Sequence, residues 1–142
     1  MQKFKFELQD VLQFRIFEQK QAEVELGKAL ACEKKIQDNL DTLAGQLAES
    51  KRIMKGSTDF YAINDSIKFQ QFVKKQTEYL LNKMAEAKLV SEQKREILKK
   101  CMQKTDALEK LKEKQMEEWK RAENLEDDDF SDDIVTGRYG RK

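Results

Sequence analysis

Apolar residues recur along this chain at alternating steps of four and three, the repeat of a helix that presents one narrow stripe to a partner. From Leu8 the steps fall on Leu12, Arg15, Gln19, Ala22, Leu26, Ala29, Glu33, Ile36, Leu40, Leu43, Leu47, Ser50 and Met54, and ten of these fourteen places are apolar. A repeat sustained over that length predicts a coiled-coil seam on one long helix, from about Lys5 to Lys55. Gly27 and Gly45 weaken that helix by about 1 kcal/mol each without ending it. The stretch Gly56-Ser57-Thr58-Asp59 then combines a glycine with three residues suited to capping a new helix, so the turn is expected at about 56–60.

A second seam follows through Phe69, Val73, Gln76, Leu80, Lys83, Ala87, Val90, Lys94, Ile97, Cys101, Lys104, Leu108, Leu111 and Gln115, with Met84 able to replace Lys83, and predicts a helix over about 61–122. Two helices of similar length joined by a short turn favour antiparallel pairing. Pairing about residue 60 sets Leu12 opposite Leu108, Ile36 opposite Met84, Leu40 opposite Leu80 and Leu47 opposite Val73. From Glu123 to Asp133 there are seven acids and no base, followed by a glycine-containing basic end. No burial pattern runs through 123–142, which reads as a disordered tail. The expected class is all-α: an antiparallel coiled-coil hairpin over 1–122 with an acidic C-terminal tail.

Composition narrows the chemistry. The 142 residues include no histidine and no proline, which removes His-based metal sites and the Ser-His and Cys-His nucleophile systems. Lys and Arg number 28 against 27 Asp and Glu, a net charge of +1 that favours neither nucleic acid nor an anionic surface overall. Cys32 and Cys101 form no CxxC pair and read as small packing residues. No apolar run approaches the roughly 20 residues of a membrane span, so no direct span is expected. The acidic stretch has no glycine and so does not match a calcium-binding loop. Enzymes built on carboxylates, lysine or cysteine remain open on composition alone. The aromatics Phe4, Phe6, Phe14 and Phe17 at the start, Trp119 late, and Phe60, Tyr61, Phe69, Phe72 and Tyr79 near the turn are too many for one seam. Some of them must lie outside the seam, either as contact surfaces or as end caps packed locally.

Three stretches together resemble a known family. The opening Phe4-x-Phe6-x-Leu8-x-x-Val11-Leu12-x-x-Arg15, the run Phe69-Gln70-Gln71-Phe72-Val73 and the segment Leu108-Glu109-Lys110-Leu111-Lys112-Glu113-Lys114 are similar, in order and spacing, to those of the flagellar type III export protein FliJ family. The resemblance covers about residues 3–121 and leaves the acidic tail outside it. It implies a non-enzyme with no catalytic residue, cofactor or metal, a rod that inserts its open end into a hexameric flagellar export ATPase ring and activates it, touches a membrane export-gate protein, and handles export chaperones. Such a protein would be cytoplasmic and peripherally associated with the inner membrane at the flagellar base, with no nucleic-acid partner. By position the ring-facing residues would be Phe4, Phe6, Arg15, Lys110, Lys112, Lys114 and Trp119. The gate contact would be Phe72 with Gln76, where the family tends toward an aliphatic residue. A structural coiled coil that dimerises or scaffolds other helices is the alternative, separable by concentration-dependent dimers without ATPase stimulation. A basic-helix nucleic-acid binder is a third reading and would show steep loss of affinity with salt.

Overall fold

The structure, a computed structural model, describes residues 3–139. Two helices make up the fold, α1 over Gln9–Gly56 and α2 over Phe60–Tyr139, and they fold back on one another as an antiparallel coiled-coil hairpin. No strand occurs among the described residues. The hairpin divides into two compact units, a terminal unit of Met1–Lys20 with Lys100–Lys142 and a turn-side unit of Gln21–Lys99.

In α1 the expected seam is the observed one. Every seam place from Leu12 to Met54 is buried or half-buried, with Leu12 at 4% exposure, and only Leu8 lies outside. In α2 the seam runs through Ser66, Gln70, Val73, Thr77, Leu80, Met84, Ala87, Ser91, Lys94, Leu98, Cys101, Thr105, Leu108, Lys112, Gln115 and Trp119. Every second place therefore sits one residue later than the apolar count predicts: Gln70 replaces Phe69, Ser91 replaces Val90, Leu98 replaces Ile97 and Lys112 replaces Leu111. The displaced residues Phe69, Val90, Ile97 and Leu111 form an exposed flank instead.

Buried hydroxyls make this slipped seam possible. Thr105 Oγ1 donates to the Cys101 carbonyl at 3.0 Å and Ser91 Oγ contacts the Lys88 carbonyl at 3.0 Å, while Ser91 also pairs with Glu33 across the hairpin. A polar side chain satisfied by its own helix can occupy a seam without a desolvation penalty. No buried polar side-chain atom lacks a partner among the described residues. Gln70 Nε2 against Met54 Sδ at 3.8 Å marks the same antiparallel order near the turn.

The turn itself is three residues long, Ser57 to Asp59. Asp59 Oδ1 accepts from the Tyr61 amide at 3.0 Å, and the Asp59 carbonyl takes the first helical bond, from Ile63, at 3.0 Å. Asp59 is thus the N-cap of α2. Ser57 Oγ holds the Asp59 amide at 3.2 Å. Gly56 ends α1 without a left-handed conformation, since no described glycine has positive φ.

Both helix bounds depart from expectation at the open end. α1 starts at Gln9 rather than near Lys5, because residues 3–8 run as non-helical chain that lays Phe6, 5% exposed, into the fold. α2 continues past Ala122 through the acidic stretch to Tyr139. Extending an existing helix adds a bond for each residue fixed and needs no new nucleus, and no proline interrupts it. The segment gains no burial, for Leu125 is 63% and Phe130 67% exposed, in keeping with the missing burial pattern.

Candidate functional site

The terminal unit is organised by an aromatic clasp. With the first residues off the helix, Phe4 reaches the Trp119 ring, centroids 6.0 Å apart and planes tilted by 53°. Phe4 and Phe6 line a cavity of about 450 Å³ together with Lys112 and Met116 of α2 and Gln9 and Asp10 of α1. The Phe6 carbonyl accepts from the Gln9 amide at 3.1 Å, which steers the chain from this extended start into α1.

The seven residues assigned to this end from the resemblance therefore fall into different environments. Phe4, Phe6 and Trp119 pack on the chain itself, and Phe6 is covered by its own fold. Lys112 is a seam residue, its stem beside Phe4 and Phe6. Arg15 is half-buried, paired with Glu18 at 3.0 Å and placed 5.9 Å from the Phe14 ring centre. Of the seven, Lys110 and Lys114 alone are exposed. Phe14 and Phe17, which the aromatic count marks for the outside in part, are both exposed, at 55% and 57%.

The turn-side unit carries the second candidate surface. Phe72 is 54% exposed and Gln76, one turn on, is exposed beside it. They share a face with Phe69, 37% exposed, and Tyr79, 56% exposed, whose ring lies 5.5 Å from Lys83 Nζ. Phe60 and Tyr61 make an edge-on pair with centroids 6.0 Å apart and are also largely exposed. Exposed aromatics clustered in this way are the usual anchors of protein contact surfaces.

The cysteines do not share one environment. Cys101 is half-buried in the seam, whereas Cys32 is exposed, so the packing role expected for both holds only for Cys101. Among the described residues no group of three or more Cys, Asp or Glu side chains is disposed to hold a metal ion. Among the described residues the one resolved charge perturbation is a surface pair: the hydrogen bond and the charge of Arg52, at 2.6 Å, hold the Glu49 carboxyl below the ordinary carboxylate range. Sequence reading missed the apolar cavities between the helices of this unit, lined in part by Leu47 and Ile67. Their signal is the row Ile67, Lys74, Leu81 and Lys88, a seven-residue spacing beside the true seam.

These features define a helical hairpin whose exposed cations and aromatics are suited to protein contacts, and no described helix is long and apolar enough to cross a membrane. The sequence matches the family of flagellar FliJ proteins over residues 4–142, and the chain belongs to that family, a flagellar export-related one. The match takes in the acidic segment, which the motif resemblance leaves outside. No curated protein and no solved structure matches the chain.

Proposed function

We propose that the chain is a non-catalytic rod of the flagellar type III export apparatus that inserts its terminal end into a hexameric export ATPase ring and activates it. The turn-side surface around Phe72 and Gln76 contacts the membrane export gate, and the hairpin handles export chaperones. The protein works in the cytoplasm, held peripherally at the inner membrane of the flagellar base.

One observation carries this reading: the terminal unit closes on Phe4, Phe6 and Trp119 while leaving Lys110 and Lys114 exposed. A preformed end with free charge meets an acidic rim without first having to refold, and its charges steer association. A slender hairpin in an axial pore touches the ring's subunits unequally. Differential contact is what a non-catalytic activator needs to shift the balance among their conformations. Lys112, Phe6 and Arg15 then act from behind, by holding the end in shape.

The test is affinity capture of the full chain from the native cytoplasm, followed by ATPase assay of what is retained. The expected outcome is retention of a ring-forming ATPase whose turnover rises when the chain is added back. Capture of other helical proteins with no stimulated ATPase would instead mark a scaffolding coiled coil.

A further inference from the structure

The turn-side unit has a second surface that includes neither Phe72 nor Gln76. A cavity of about 420 Å³ opens between α1 and α2, with Leu47, Ile67 and Val73 among its lining and one lysine from each helix, Lys51 and Lys74. A second cavity, of about 290 Å³, repeats the arrangement with Leu30 and Met84 and the lysines Lys34 and Lys88. Ile67, Lys74 and Lys88 share one heptad place of α2, and Leu81, 53% exposed, occupies the place between the two lysines. The two cavities thus belong to one apolar strip with lysine on both sides.

Each cavity also has one carboxylate, Glu78 in the first and Glu33 in the second, and Glu33 is engaged by Ser91 Oγ. The strip is therefore net positive. It suits a helix with an apolar ridge and acids on either flank. A strip that repeats along the hairpin fits an extended segment rather than a small molecule.

Such a segment exists in the chain. Between Glu123 and Asp133 there are seven acids and no base. Phe130, 67% exposed, and Ile134, 44% exposed, are four residues apart and so share a face of α2, with Glu126 to Asp129 preceding them. We propose that the lysine-flanked strip of one molecule binds the acidic segment Glu123–Ile134 of a second copy. Within a single molecule the segment and Lys74 and Lys88 lie on the same unbroken helix, so a fold-back contact would require α2 to break. Two copies exchange the contact in both directions, which closes a two-fold dimer. This self-association is separate from the ring and gate contacts.

The experiment mixes light and heavy isotope-labelled full-length chains, couples amines to carboxylates with a zero-length reagent, and follows mass by sedimentation over a range of concentrations. Expected are adducts between Lys51 or Lys74 and Glu126 to Asp129 that join light to heavy chains, together with a concentration-dependent dimer. The dimer constant should weaken by about tenfold or more in the double variant Lys51→Glu, Lys74→Glu and in Phe130→Ser, and should fall with added salt. Both variants change exposed side chains, and circular dichroism checks that each remains helical. Adducts confined to one chain, a monomer at every concentration, or a dimer indifferent to both variants would overturn the proposal.

Discussion

The terminal unit turns three of its aromatics, Phe4, Phe6 and Trp119, inward and leaves Phe14, Phe17 and Phe130 exposed, whereas the turn-side unit leaves all five of its aromatics exposed. Phe4 rests on Trp119 and Phe6 is 5% exposed, whereas Phe72 is 54% and Tyr79 56% exposed on a helix of the same amphipathic design. The inner side of the turn-side unit is filled by aliphatic, small and polar residues, Val73, Met84, Ala29, Ser50 and Ser91. Aromatic side chains thus help to close the fold in the terminal unit and take no part in the buried core of the turn-side unit. What decides between them is heptad place and, at the start of the chain, a segment that leaves the helix to reach across.

The sharpest way to break this comparison is to truncate an aromatic in each unit. Phe6→Ala should cost about 3 kcal/mol, since a buried ring is lost and its cavity only partly collapses. Phe72→Ala should change stability by less than about 0.5 kcal/mol. Denaturant melts followed by circular dichroism measure both. Because Trp119 is the only tryptophan, its emission reports the Phe6→Ala effect within the terminal unit alone. Equal losses in the two variants would mean that Phe72 is a packing residue.

Smaller effects sharpen the account of the helices themselves. Asp59→Ala removes the N-cap of α2 and should cost about 1 kcal/mol, read as a lower melting midpoint. Gly27→Ala and Gly45→Ala should each stabilise by about 0.5 to 1 kcal/mol, because a Cβ at either place meets nothing within 4 Å. The smallest effect is electrostatic. Glu49 has its carboxyl lowered by Arg52, so the stabilisation is present above the ordinary carboxylate range and is lost as pH falls through the lowered value. Glu49→Gln should flatten the acid limb of the stability profile only slightly, since the pair is fully in solvent.

Much of this was readable in the sequence, and the failures have physical causes. The α1 seam was legible because its places are mostly apolar and its polar members, Arg15, Gln19, Glu33 and Ser50, are few. The α2 seam slipped at alternate places because counting apolar residues prefers Phe69 to Gln70, Val90 to Ser91 and Leu111 to Lys112. Satisfied hydroxyls at Ser91 and Thr105 overrule that preference. The clasp was partly legible, since pairing about residue 60 brings the first aromatics toward Trp119, but their non-helical path was not. Only the α2 side of the strip beside Lys51 and Lys74 has a period of its own, Ile67, Lys74, Leu81 and Lys88, and half of that row is lysine, so an apolar count passes over it.

The proposed function divides the work between the two units, the terminal end acting on an export ATPase and the turn-side aromatics on the gate. The most direct measurement is stimulation of the partner ATPase by the double variant Lys110→Glu, Lys114→Glu and by Phe72→Ala, beside the unaltered chain. Lys112 is left in place because it belongs to the seam. The account predicts that charge reversal lowers stimulation at least about tenfold with helicity unchanged, while Phe72→Ala stimulates as the unaltered chain does. Full stimulation by the charge-reversed chain, or its loss in Phe72→Ala, would contradict the account.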